Sequence, residues 1–106
     1  MLRKNERLKR GEFNRFFSLG HRYHSPTTTL IFAPEKKRKV AVVVSKKVAK
    51  LAVQRNKIRR RVYALARDYS THGVYIFIIK PNAAKVSYND LKEDIIKLIE
   101  IVNRKT

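Results

Sequence analysis

The chain has 106 residues and carries 26 lysines and arginines against eight aspartates and glutamates, a formal net charge of +18. A hydrophobic share of 43% supports one modest core and argues against wholesale disorder. The absence of cysteine excludes a disulfide framework and any thiolate zinc site. The charge is also one-sided: residues 1–67 hold 20 cations and three acids (Glu6, Glu12, Glu35), a net +17, whereas residues 68–106 hold six cations and five acids, a net +1. Such an excess destabilises a compact fold unless a polyanion binds, and it is the electrostatic footprint of a nucleic-acid binder. The N-terminus "MLRKNERLKRGEF" has no apolar run behind its basic start, so it is not read as a secretory signal. The longest apolar run, "VYIFII" at 74–79, is far short of the roughly 20 residues of a membrane helix. The expectation is a single cytoplasmic domain over residues 1–106 whose charge gives a polyanion such as nucleic acid as the partner class and nothing finer, with no membrane contact and no obligate protein partner.

Residues 11–20, "GEFNRFFSLG", read as a short helix, with Phe13, Phe16 and Phe17 at three and four spacing and Gly20 just past its end. A short strand is weakly signalled at "HRYHS" (21–25). "TTTLIFA" (27–33) and "KVAVVVS" (39–45) are stronger strands, joined by "PEKKRK" as a polar connection of hairpin length. Residues 51–69 form the longest helical pattern, with Leu51, Ile58, Val62, Leu65 and Tyr69 within one narrow arc. After "STHG", "VYIFIIK" (74–80) reads as a central strand ending at Pro81. Ser87 with Asp90 begins a last helix whose core stripe is Leu91, Ile95, Leu98 and Val102. The order α-β-β-β-α-β-α predicts an α/β (α+β) two-layer sandwich, with a mixed sheet of roughly four strands packed with three helices.

On the helical wheel of 51–69, Asn56, Arg60 and Arg67 face away from the core, Arg55 and Arg59 lie along one flank, and Lys57 and Arg61 line the other. A solvated surface helix would intersperse acids at i,i+4, but no acid occurs from Ser45 to Arg61. Arginine forks suit bidentate phosphate contacts. Lys46 and Lys47, at a strand end, are either phosphate ligands or a solvated loop. Phe13 and Phe17, as an i,i+4 aromatic pair, are either core or a stacking platform for unpaired bases. "PEKKRKV" looks like a nuclear import tract but is more economically a charged loop. His21, His24 and His72 lack metal-ligand spacing, and no catalytic triad, phosphate loop or carboxylate pair stands out. No metal is expected to bind the protein itself.

"VSKKVAKLAVQRNKIRRR" resembles the signature of the protein subunit of bacterial ribonuclease P: a "SKK" strand end, an "AV" step, and an Arg-Asn-basic triplet followed by further basic residues. "RLKRGEFNRFFSLG" is similar to that family's N-terminal segment, and "VYIFIIKPNA" with "YNDLKEDIIKLI" to its C-terminal third, so the resemblance covers nearly the whole chain. It departs at Ala49-Lys50-Leu51, where a glycine and one residue fewer are common, at Lys57, where arginine is commoner, and at Tyr63, where an arginine is usual. A tyrosine at that position is able to stack on a base.

The resemblance implies a subunit of the enzyme that hydrolyses a phosphodiester bond to remove the 5′ leader of precursor tRNA, with the chemistry carried by an RNA subunit and its bound Mg2+. It also implies a left-handed β-α-β crossover, where general rules favour a right-handed one. Carried residue by residue, Arg55, Asn56, Lys57, Arg59 and Arg60 contact the catalytic RNA, and Lys46 and Lys47, as phosphate candidates at the strand end, are placed on the same catalytic-RNA surface. Phe13 and Phe17 line the cleft for the leader of the precursor tRNA. Tyr23, Thr27, Thr29 and Ile31 alternate along neighbouring sheet segments and are placed in the same cleft. The rival readings are a small structural RNA-binding protein, ribosomal-protein-like and without a leader cleft, and a protein-only nuclease, which the missing carboxylate or histidine cluster disfavours.

Overall fold

The computed structural model describes residues 6–105. Residues 1–5, where the start of the chain is read as no secretory signal, and residue 106 lie outside that range. Along the chain run α1 (Arg10–Leu19), β1 (His21–His24), β2 (Thr28–Ala33), β3 (Arg38–Val43), α2 (Ala52–Tyr69) and β4 (Gly73–Ile79). A 3-10 turn at Pro81–Lys85 then leads to α3 (Tyr88–Lys105). The strands form one mixed sheet in the order β1-β2-β4-β3, with β3 parallel to β4 and the other neighbours antiparallel.

The position of β4 follows from its composition. Its side chains are apolar on both faces, so it sits between β2 and β3 with both faces covered. This corrects the hairpin expected for the "PEKKRK" connection. β2 and β3 do not pair, and the segment crosses the start of β4, where the Gly73 N–H donates to the Lys37 carbonyl at 3.3 Å. Gly73 has φ +114°, and an added Cβ there would also press on the Phe32 ring.

Strand alternation sorts the core into two sides. Leu30 and Phe32 of β2, Val40 and Val42 of β3, and Tyr75, Phe77 and Ile79 of β4 pack with α2 and α3. Ile31, Ala33, Val74 and Ile76 pack on the opposite face under Phe16 of α1. The three helices and mixed four-stranded sheet are as the pattern predicts, but the layering is not. α1 covers the second face, because β2 and β4 present apolar residues on both sides and both need cover. Gly20 ends α1 in extended backbone, not a left-handed cap. A Cβ there would collide with Ile31 Cγ2 and lie 2.9 Å from the Phe16 carbonyl oxygen, so the glycine serves the close approach of α1 to β2.

α3 buries Leu91, Ile95, Leu98, Ile99 and Val102, and the Asp90 N–H donates to Ser87 Oγ at 3.2 Å. α2 buries only Val62, Leu65 and Ala66, with Ile58 half-buried. Leu51 and Tyr69, expected in the core stripe, are 62% and 43% exposed. The reason is length. An 18-residue helix spans about 27 Å, whereas the six-residue β3 beneath it spans about 20 Å, so both ends of α2 overhang.

Candidate nucleic-acid interface

With Val62, Leu65 and Ala66 turned to the sheet, α2 presents Asn56, Lys57 and Arg60 exposed and Arg59 partly so. Arg59 Nη1 donates to Asn56 Oδ1, so the asparagine orients one arginine fork and keeps its own amide N–H groups outward. Arg55 has a structural task as well. Its Nη1 donates to the carbonyls of Ala49 (3.0 Å) and Lys50 (2.7 Å), fixing the loop that enters the helix. Arg61 lies 4.6 Å over the Tyr88 ring at the start of α3. Lys46 and Lys47 are exposed in the turn after β3, where the Ser45 carbonyl accepts the Val48 N–H at 3.0 Å.

The few acids of the basic half do not relieve this face. Glu6 pairs with Arg38 at 2.9 Å, and Glu12 with Lys39 at 2.6 Å, both at β3. The Lys39 ammonium, then the Lys9 backbone N–H, hold the Glu12 carboxyl below its usual range. Arg38 also donates to the Arg67 and Ser70 carbonyls at the end of α2, where a cation suits the helix dipole. The one acid on α2, Asp68, pairs with Arg67 at 3.0 Å, far along the helix from Asn56.

Arg7, Val53, Asn56, Arg59, Arg60 and Tyr63 line a groove of about 470 Å³ beside α2. Arg7 reaches it because the segment before α1 runs alongside the outer edge of β3. Arg7 bridges to Val40, and the Leu8 N–H donates to the Val40 carbonyl at 3.1 Å. Its guanidinium carbon sits 5.2 Å from the Tyr63 ring centroid. Sequence reasoning missed Arg7, since "ERL" carries no strand signal and its pairing with β3 spans more than thirty residues.

On the other face of the sheet, Phe13 and Phe17 stack with ring centroids 5.6 Å apart, both half-buried, while Phe16 points into the core. Arg22 lies 4.7 Å over Phe17 and donates to its carbonyl at 3.3 Å. Thr29 and Ile31 share this face but are buried, at 8% and 1% exposure, with Thr29 Oγ1 hydrogen-bonded to His24 Nδ1 at 3.2 Å. They lie beneath the surface that Phe13 and Phe17 share. Half-buried Ala41 and Ile78, which periodicity alone did not single out, lie on this same side. Tyr23 and Thr27 do not, which corrects their expected place in the cleft. Tyr23 pairs with Leu30 and therefore shares the α3 side, where Lys105 lies over its ring. Thr27 precedes β2, escapes its alternation, and donates to Asp94 of α3 at 2.5 Å.

Among the described residues, no group of three or more His, Cys, Asp or Glu is placed to hold a metal ion, and no helix is long and apolar enough to cross a membrane.

Comparison with known proteins adds a family. The sequence profile of the family described as Ribonuclease P matches residues 2–103. The Ribonuclease P protein component of a Nitratiruptor species is 33% identical over 97 residues, covering 89% of this chain and 88% of the relative. Its namesake from a Pseudanabaena species is 32% identical over 103 residues, covering 90% of this chain and 89% of the relative. The RNase P protein of Staphylococcus aureus superposes with a TM-score of 0.82 at 21% identity, over 92% of this chain and 94% of that one. That of Thermotoga maritima gives 0.78 at 22% identity, over 89% and 94%. At these identities the structural likeness speaks to the fold.

Proposed function

The chain belongs to the family of ribonuclease P protein components, the protein part of the enzyme that processes tRNA 5′ ends, and from that premise we propose how its surface serves two RNAs. The exposed face of α2, with Lys46 and Lys47 beside it, binds the catalytic RNA. The face between α1 and the sheet, with Phe13 and Phe17 at its surface, holds the 5′ leader of precursor tRNA. The observation that carries this reading is the acid-free stretch from Ser45 to Arg61, ordered as a helix whose Asn56 orients Arg59. A solvated helix needs neither the missing acids nor the positioned fork, whereas phosphate recognition uses both.

The leader reading rests on the Phe13–Phe17 stack, whose rings pack against the core beside buried Phe16 yet stay partly exposed. Stacking on such rings tolerates any base sequence, which suits a leader that differs between transcripts. We assign the magnesium ions of the reaction to the RNA partner, whose phosphates suit that hard cation. A cytoplasmic setting fits a partner that is RNA. The left-handed sense of the β3-α2-β4 crossover is supported by chirality. Val40 turns its side chain to the α2 layer and its carbonyl to Leu8 on the outer edge. For an L-residue that geometry sets β4 to the left of an upward β3, seen from the helices.

Reconstitution tests the proposal. The chain is mixed with the catalytic RNA of its own organism and a leader-bearing precursor tRNA at low magnesium. Stimulated 5′ cleavage is expected; no stimulation would overturn the proposal, and cleavage without RNA would point to a protein nuclease. Phe17→Ala should impair binding of leader-bearing substrate more than of mature tRNA. Equal losses for both would assign Phe17 to the core.

A further inference from the structure

Phosphate binding needs only cations, yet the groove beside α2 also contains a cation–π pair. The Arg7 guanidinium carbon lies over the Tyr63 ring, 5.2 Å from its centroid, on a backbone segment pinned to β3. Tyr63 is half-buried against the main core. Arg7 sits between Glu6, paired with Arg38, and Leu8, whose N–H is bound by the Val40 carbonyl. Around them stand Asn56, Arg59, Arg60 and Val53, an apolar side chain left 75% exposed.

From this arrangement we infer that Arg7, held over Tyr63, is a stacking receptor for one unpaired nucleobase of the catalytic RNA. Arg59 and Arg60 hold the phosphates flanking that base. The inference rests on the α2 face being the catalytic-RNA surface. Three observations favour a base over backbone alone. Unpaired bases stack on guanidinium planes as well as on aromatic rings, and an aromatic ring beneath fixes the guanidinium plane. The exposed Val53 gives the groove an apolar wall, which a phosphate does not use but a base does. The volume, about 470 Å³, is in the range of roughly 300–1,000 Å³ that encloses a small planar ligand. Asn56 completes the site: its Oδ1 is engaged by Arg59, which leaves its amide N–H groups to donate to an acceptor on the base edge. The plain alternative is that the Arg7–Tyr63 contact only fastens the N-terminal segment to α2.

Arg7→Lys separates these readings, because lysine keeps the charge and the contact with the ring but has no plane to stack. Arg7 is exposed, so the variant keeps the fold. Binding of the full chain to the catalytic RNA of its own organism is measured over a salt series, with base-specific chemical probing of the complex. Arg7→Lys should weaken binding roughly tenfold, the scale of one lost stack, with the salt slope unchanged. One or two unpaired bases should lose protection while backbone protection persists. Tyr63→Ala should lose the same base protection and Tyr63→Phe, which retains the ring, should restore it. Equal affinity and identical base protection for wild type and Arg7→Lys would overturn the inference. If the wild-type chain does not bind that RNA at all, the functional proposal fails instead.

Discussion

α2 and α3 are equal in length, 18 residues each, and lie against the same face of the sheet. α3 buries five apolar side chains, carries four cations against four acids (Asp90, Glu93, Asp94, Glu100), and begins on a serine cap. α2 buries three, carries six cations against the single Asp68, and has no side-chain cap at Leu51. One helix is built for the core and the other for its exposed side. The contrast teaches that a helix can be held by a few central contacts while most of its surface stays outside the core and carries charge of one sign. Its cations cost stability in the free protein through mutual repulsion, and a bound polyanion removes that cost.

The largest test of this contrast is Ile95→Ala. Ile95 is fully buried among the main core residues, so its loss should cost about 2–5 kcal/mol in urea denaturation. RNA affinity of the molecules that remain folded should not change. A loss of affinity without a loss of stability would mean that α3 also meets RNA.

The converse variant is Arg59→Ala with Arg60→Ala. Both side chains are on the open side of α2, so denaturation should show stability unchanged or slightly raised as repulsion falls. Catalytic-RNA binding should weaken, and the slope of log affinity against log salt should become shallower by about 1.4–1.8, the release from two phosphate contacts. An unchanged slope would remove α2 from the interface.

The two helix starts give a smaller contrast. Ser87→Ala deletes the cap of α3 and should lower stability by about 1 kcal/mol. Leu51→Ser places a cap where α2 has none, and because Leu51 is 62% exposed little packing is lost. It should raise stability by a similar amount, read as a higher melting temperature. If it does not, the loop that Arg55 holds through the Ala49 and Lys50 carbonyls already supplies what a cap would.

Much of this contrast was legible before the fold. The stripe Leu91, Ile95, Leu98 and Val102 is local and periodic, and so is the outward direction of Asn56 and Arg60, since a helix fixes its own faces. Position between elements was not legible. Nothing near residues 34–39 says that β4, arriving some forty residues later, will part β2 from β3. Tyr23 and Thr27 went to the wrong side for a related reason: their faces depend on the β1–β2 register and on Asp94, sixty-seven positions from Thr27. Arg7 is the clearest case. Its neighbour Tyr63 registers in the sequence as a departure from an arginine, able to stack on a base but with no sign of Arg7, and the two meet only because the segment before α1 bridges to the edge of β3.

The smallest expected effect concerns where the acids of the basic half are placed. Glu12 lies on α1 and pairs with Lys39 of β3, away from α2, and its carboxyl is held below the ordinary glutamate value of 4.5, first by that lysine and then by the Lys9 N–H. A depressed folded-state value means that the contribution to stability is present above pH 4.5 and is lost as the pH falls through the folded value. The pair is part-exposed, so global stability should change little. Amide exchange should instead quicken in α1 between neutral pH and a pH well below 4.5, after correction for intrinsic rates, more than in α3, and Glu12→Gln should abolish that difference. If α1 and α3 respond alike with Glu12 intact, the pair does not fasten α1, and the Phe13–Phe17 face is held by Phe16 and the close contact at Gly20 alone.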